Sequence, residues 1–265
     1  MTGAALKQAI RETIVQPPFL FLLILEAALV GLIVFGIGVE FEDGVLVSLK
    51  IFGTQIEPGE VAVLSRELVQ SVTEISTGII MFLLILAGSF LFSEFLHSPL
   101  LGIVLTKPLS RRQLFLARFS GLMFAIFIDL LLVGLSITAI FSLKSGGAIL
   151  PAPFLLSLSL WLESFVILSF CTLMATLMEQ ATAVALVGLA TYFILAPFLR
   201  HAKQSDSLLL EAAAYLFPPM GELAAGTRGL PSAGEIALLP VEVSLVYAFA
   251  YLLIASSLFH RRDIQ

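Results

Sequence analysis

Three acidic residues lie inside long apolar runs of the chain: Glu26, Asp129 and Glu163. An ionised carboxylate near the centre of a membrane-spanning helix costs about 2.5–3.5 kcal/mol on insertion scales, so such residues normally face a bundle interior or a wet cavity. Asp129 and Glu163 are therefore candidates for a substrate or proton pathway. The alternative is a protonated acid that hydrogen-bonds to Ser or Thr across a helix interface. Glu26, in the inner part of its run, is expected to reach toward the membrane interface.

A second candidate site is a cluster of four positively charged residues in a chain that has only 14 Lys and Arg residues in total. The charges are Lys107, Arg111, Arg112 and Arg118, and Pro108 and Ser110 lie among them. Proline suits the first turn of a helix and serine can cap one, so the segment predicts a short helix. Its arginines would face water, anionic lipid headgroups or a protein partner. The alternative is a basic loop that only orients a membrane protein.

Other residue types that could do chemistry are sparse. The three histidines, His97, His201 and His260, fall near the ends of apolar runs and have no His or acid partner at metal-ligand spacing. Cys171 is the single cysteine, which excludes an intrachain disulfide and a cysteine metal cluster. The chain carries no P-loop, Rossmann or zinc-protease motif. We therefore expect no metal, no bound cofactor, no nucleic-acid partner and no enzymatic activity in this chain.

The elements that position these residues follow from composition. Apolar residues make up 59% of the chain and charged residues only 12%, about half the charged share of a soluble domain. Such a composition is that of an integral membrane protein. Six apolar stretches are long enough to cross a hydrocarbon core, which takes about 20 helical residues. We place these spans at 19–39, 75–96, 119–142, 153–177, 181–199 and 241–259.

Charge asymmetry predicts the orientation. If the amino terminus is inside, the cytoplasmic segments hold eight of the 14 basic residues and four of the 19 acids, in much less chain than the outer segments. Basic loops stay in the cytoplasm, so both termini and residues 97–118 are expected there. The protein is expected to be a multi-pass component of a bacterial or archaeal cytoplasmic membrane.

The segments between spans carry further patterns. Residues 4–15 predict an amphipathic helix on the inner leaflet, which Pro17-Pro18 would end. The outer loop 40–74 predicts a small cap, with a strand or hairpin in which Val45 to Ile51 alternate, followed by a helix leading into the second span. Residues 200–240 hold short apolar pieces broken by Pro and Gly, which is typical of re-entrant helices or of a helix lying flat on the outer surface.

Taken together, these features resemble a known family. The loop positions that match its pattern of basic–Pro–aliphatic–Ser–Arg, followed by spaced apolar, small and basic residues, are Lys107, Pro108, Leu109, Ser110, Arg111, Leu114, Ala117 and Arg118. The ending Phe259-His260-Arg261-Arg262-Asp263 is similar to the family's usual finish. The chain thus resembles the type-2 ABC transporter permeases, especially the branch typified by the permease of the nitrous-oxide reductase maturation system, over nearly its whole length.

The resemblance implies a fold and a set of partners. The fold would be an all-α polytopic membrane domain over residues 1–265, with an interfacial amino-terminal helix, a cytoplasmic coupling helix in the basic loop and outer re-entrant helices between spans five and six. Two copies, or two related permeases, would pair within membrane lipids. Separate cytoplasmic ABC ATPase subunits would bind ATP and Mg and drive export. Whether an accessory protein binds the outer loop, and what the substrate is, stay open.

A second function, from a different class of membrane protein, also agrees with the sequence. A self-contained, proton-coupled secondary transporter could use Asp129 and Glu163 as a proton relay. Such transporters usually contain inverted repeats, and the sequence shows none.

Overall fold

The computed structural model describes residues 7, 10–11, 13–15, 17–42, 45–51, 53–55, 58–97, 110–144, 152–178, 180–202, 217 and 238–261. Within these residues, six helices are long and apolar enough to cross a membrane. The protein is therefore a multi-pass membrane protein. Each of the six predicted spans falls on one of these helices, except that the last three residues predicted for the first span, 37–39, belong to a strand.

The first helix, α1, covers Pro17–Gly36. Its start at a proline fits the preference of that residue for the first helical turn, where the missing N–H is not needed. Before it, the described residues between 7 and 15 are also helical; Lys7 and Arg11 are exposed, and Thr13 is buried. The predicted helix is thus present there in part, although the apolar Ile14 is exposed.

A three-stranded antiparallel sheet follows α1, with β1 at Ile37–Glu42, β2 at Val45–Ile51 and β3 at Thr54–Gln55. The register pairs Ile37 with Ile51, and a bulge lies between Glu40 and Phe41. Gly53, at φ +83°, makes the turn into β3, a conformation that side chains other than glycine rarely adopt. The all-α class therefore holds for the spans, and the predicted hairpin in this loop is present.

The second helix, α2, runs unbroken over 40 residues, Pro58–His97. At 1.5 Å per residue it is about 60 Å long, roughly twice the thickness of a hydrocarbon core. The third, α3, covers Arg111–Lys144 and starts eight residues before the predicted third span. Residues 98–109 lie outside the described residues.

The remaining spans complete the bundle. Helix α4 is Ala152–Leu177, and the fifth span consists of α5 at Ala181–Ala190, a π-helical turn at Thr191–Leu195 and α6 at Ala196–Ala202. The sixth span is α7, Leu238–Arg261. The segment predicted to form re-entrant helices lies almost wholly outside the described residues.

Helix α4 is the centre of the core, because it packs against α2, α3, α5 and α7. Its buried face carries small hydroxyl side chains that bond to their own backbone. Ser164, Ser169 and Thr172 donate to carbonyl oxygens three or four residues earlier, at 2.6–2.7 Å. These polar groups are satisfied within the helix, so α4 can be buried on several sides without leaving them unpaired.

Candidate functional site

The three acids that lie away from the span ends are buried, whereas Glu94 and Glu242, at the ends of their spans, are exposed. Glu26 is 3% exposed, Asp129 6% and Glu163 1%. None of them faces the lipid side of its helix, which is where the exposed Leu, Ile and Phe side chains lie. The acids therefore belong to the interior of the bundle.

Glu26 and Asp129 meet between α1 and α3. Their side chains approach each other across this interface. Among the described residues, no hydrogen-bond donor reaches either carboxyl oxygen of Glu26 or Oδ2 of Asp129. Two carboxyl groups can hydrogen-bond only when at least one of them carries a proton to donate. A hydrogen bond between the first and third spans at this pair therefore requires a proton on one of the two acids.

The expected position of Glu26 was wrong, since it was expected to reach toward the membrane interface. The spacing of its neighbours carries the missed signal: Phe19, Leu22 and Glu26 are three and four residues apart, which places them on one face of a helix. Phe19 and Leu22 are both fully buried. Glu26 is on the buried face for the same reason, and the apolar neighbours along that face could have indicated it.

Glu163 has a different partner. The hydroxyl of Tyr192 donates to Glu163 Oε1 at 2.5 Å, joining α4 to the π-helical turn of the fifth span. Tyr192 is itself only 4% exposed. Sequence reasoning missed this tyrosine, because a single Tyr within an apolar run has no pattern that distinguishes it from a packing residue.

Asp129 and Glu163, which the sequence suggested as a relay, lie on neighbouring helices. Helices α3 and α4 are joined near these acids, where Trp161 Nε1 donates to the carbonyl oxygen of Met123 at 3.1 Å. The ring of Trp161 also meets Phe127 edge-on, with centroids 5.3 Å apart. The structure brings Asp129 to Glu26 and Glu163 to Tyr192, so these buried acids form two pairs, each linking two helices.

The basic segment begins a helix with a reciprocal cap. Ser110 Oγ accepts a hydrogen bond from the N–H of Gln113 at 3.2 Å, and Gln113 Oε1 accepts one from the N–H of Ser110 at 3.1 Å. This capping box satisfies two backbone donors at once and fixes where the helix starts. The predicted role of Ser110 as a cap is confirmed; Lys107 and Pro108 lie outside the described residues.

The arginines of this segment differ in their surroundings. Arg112 is exposed and Arg111 half-buried, in the first turn of α3. Arg118 was expected to face water, headgroups or a partner, but its guanidinium lies over the ring of Phe95, 5.4 Å from the centroid. This cation–π contact ties Arg118 to the end of α2. Among the described residues of this segment, the exposed Arg112 is the clearest candidate for an external contact, with Arg111 beside it in the same turn.

Aromatic side chains join three helices at this end of the bundle, which we call the basic end. Phe115, near the start of α3, lies 6.1 Å from Phe92 of α2 and 5.5 Å from Phe259 of α7, measured between ring centroids. Phe95 and Phe259 are 5.9 Å apart. The start of α3 is thus packed against the ends of α2 and α7. The side chains of Phe92, Phe115 and Phe259 are fully buried there.

Among the described residues, no group of three or more His, Cys, Asp or Glu side chains could hold a metal ion. Cys171 is fully buried beside Gly188, and His201 and His260 are exposed. Comparison with known proteins gave no match, either to the models of protein families or among curated sequences.

Proposed function

We propose that the chain is the membrane-spanning permease subunit of an ATP-driven ABC exporter. It would pair with a second copy or a related permease and bind separate ATPase subunits, which hold ATP and Mg. The observation that carries the proposal is the helix that begins at the Ser110 cap, presents Arg111 and Arg112 in its first turn and continues to Lys144 without a break. In this proposal both termini and the basic end lie in the cytoplasm.

The continuity of α3 supports a mechanical role. Its 34 residues make a rod about 50 Å long, longer than a hydrocarbon core is thick. A push on the first turn would therefore tilt the whole span, because a capped helix cannot absorb the displacement by unwinding its first turn. The contacts of Phe115 with Phe92 and Phe259 would carry the same displacement to α2 and α7.

The charge of the first turn supports a protein partner. Arg111 and Arg112 lie at the amino end of α3, whose dipole favours negative groups. Arginines at that end oppose the dipole and are poorly placed for the stability of the helix itself. They suit charge-assisted hydrogen bonds to acids in a groove of an ATPase, each worth about 1.5–3 kcal/mol when desolvated and much less at a wet rim.

A second candidate function rests on the buried acids. A proton-coupled secondary transporter would need ionisable groups that hold and release protons within the bundle. Asp129, with Glu26, and Glu163, with Tyr192, supply two such groups. In such a transporter, ATP would be irrelevant and a pH gradient alone would drive proton flux.

Purification of the tagged chain from its native membranes separates the two candidates. The proposed function predicts that an ABC ATPase subunit co-purifies in a fixed ratio and that the complex, in lipid nanodiscs, hydrolyses ATP in a vanadate-sensitive manner. The second candidate predicts no ATPase and a proton flux in proteoliposomes that Asp129→Asn abolishes. A purified chain without ATPase subunit or ATP hydrolysis would refute the exporter proposal.

A further inference from the structure

The fifth span is not one regular helix. Between α5 and α6 the chain makes the π-helical turn Thr191–Leu195, and the N–H of Ala196 donates to the carbonyl oxygen of Thr191, five residues back. The residue that follows is Pro197. In a regular α-helix its ring would clash with the carbonyl oxygen of Phe193, and it has no N–H to donate. The wider turn immediately before the proline removes this conflict.

The part of the span before the π-helical turn is held tightly. Val184, Ala185 and Gly188 of α5 are buried. The backbone at Gly188 comes so close to its neighbours that an added Cβ would lie 2.7 Å from Cys171 Sγ and 2.9 Å from Ile85 Cγ2. Because α5 is wedged between α2 and α4 at this position, it cannot tilt without disturbing the core.

The part after the π-helical turn is far less constrained. In α6, Pro197, Phe198, Arg200 and His201 are exposed, and Phe198 has 54% of its surface uncovered. Few buried contacts therefore oppose a movement of this segment.

A buried polar contact holds the turn itself. The Tyr192 hydroxyl, within the π-helical turn, donates to Glu163 Oε1 on α4 at 2.5 Å. Both side chains are more than nine-tenths buried, so the hydrogen bond is shielded from competing water. It joins the only turn of irregular helix in the described part of the fifth span to the most central helix of the bundle.

We infer that the π-helical turn Thr191–Leu195 is a hinge of the fifth span and that the Tyr192–Glu163 hydrogen bond is the latch that holds it in the observed position. When the bond opens, α6 swings on the turn while α5 stays fixed against α2 and α4. The inference goes beyond the proposed function, because it rests on the geometry of this span alone. Its failure would leave the ATPase proposal untouched.

The test is a distance measurement between spin labels in nanodiscs, on a Cys171→Ala background. One label pair, at Leu143 and Arg200, spans the segment beyond the hinge; both positions are exposed. Helix α6 is about 10 Å long, so a swing of roughly 20° displaces its end by about 3–4 Å. The change Tyr192→Phe, which removes only the hydroxyl, should broaden or shift the Leu143–Arg200 distance distribution by about that amount.

Further variants distinguish the loss of the Tyr192–Glu163 latch from a general loss of rigidity in the bundle. Glu163→Gln keeps an acceptor for the tyrosine and should retain the parent distribution, whereas Glu163→Leu should reproduce the effect of Tyr192→Phe. Pro197→Ala removes the ring whose clash the π-helical turn relieves. It should therefore narrow the Leu143–Arg200 distance distribution, even when it is combined with Tyr192→Phe.

A second label pair, at Leu116 and Thr182, reports on the segment before the hinge; both positions are exposed and lie outside the Ser110 cap. It should stay unchanged in every one of these variants. An unchanged Leu143–Arg200 distribution in Tyr192→Phe, or an equal change in both label pairs, would overturn the inference.

Discussion

The contact between Glu26 and Asp129 can be tested by a double-mutant cycle in which each acid is replaced by leucine. Asp129→Leu leaves Glu26 buried with no hydrogen-bond partner among the described residues, and Glu26→Leu does the same to Asp129. A buried polar group stranded in this way costs about 1–3 kcal/mol. The double variant strands neither group, because both carboxyls are gone.

The cycle therefore predicts strong non-additivity. The free energy of unfolding lost by Glu26→Leu/Asp129→Leu should be smaller than the sum of the two single losses by about 1–3 kcal/mol, whatever the size of each single effect. Unfolding is followed in mixed micelles titrated with denaturing detergent, with all four proteins at the same lipid-to-protein ratio.

A matched cycle uses an acid that has a different partner. Glu26→Leu and Glu163→Leu affect separate pairs, since Glu163 accepts from Tyr192, and their losses should add within about 0.5 kcal/mol. If the Glu26/Asp129 cycle is equally additive, the two carboxyls do not meet and their pairing is wrong.

Three further predictions concern packing, capping and orientation. Gly188→Ala should lower the free energy of unfolding by about 1–3 kcal/mol, since its methyl would lie 2.7 Å from Cys171 Sγ. An unchanged midpoint of unfolding would contradict the close approach of Gly188 to Cys171. Ser110→Ala should cost about 0.5–2 kcal/mol through loss of the cap and speed amide exchange in the first turn of α3, whereas Arg112→Ala should not. A cysteine at Gly229, but not one at the exposed Gln113, should react with an impermeant thiol reagent in intact cells, on a Cys171→Ala background; the reverse pattern would invert the topology.

Much of the architecture could be predicted from the sequence because hydropathy acts locally. Each span is a run of apolar residues that must bury or face lipid, and its length is set by the thickness of the membrane. The alternating residues from Val45 to Ile51 and the Ser110 cap are also local signals, and both are present as predicted. Hydropathy alone placed the third span at 119–142, because charged residues at the end of a span are indistinguishable from a loop by hydropathy, whereas the Ser110 cap correctly indicated a helix that begins before it.

The partners of the buried acids could not be predicted, since they depend on which helix faces cross. Asp129 was expected to act with Glu163, but helix rotation brings Glu26 to it instead. Arg118 has the sequence context of an exposed cation, yet its guanidinium covers Phe95. The π-helical turn was also missed, although Pro197 within an apolar run is a signal that the helix before it must change its hydrogen bonding.

The central claim, that the first turn of α3 couples this chain to an ATPase, is tested most directly by charge reversal at that turn. Arg111→Glu/Arg112→Glu is compared with Lys7→Glu/Arg11→Glu, which reverses two exposed charges near the amino terminus. Both tagged variants are purified from native membranes, and the ratio of ATPase subunit to permease is measured together with vanadate-sensitive ATP hydrolysis.

The account predicts normal membrane levels for both variants, because Lys107 and Arg118 still mark the loop as basic. The Arg111/Arg112 variant should bind the ATPase at least tenfold more weakly, since even one desolvated contact is worth about 1.5 kcal/mol and a tenfold change in the dissociation constant corresponds to about 1.4 kcal/mol. The Lys7/Arg11 variant should retain its ATPase. An Arg111/Arg112 variant that keeps a full complement of ATPase and hydrolyses ATP at the parent rate would contradict the claim.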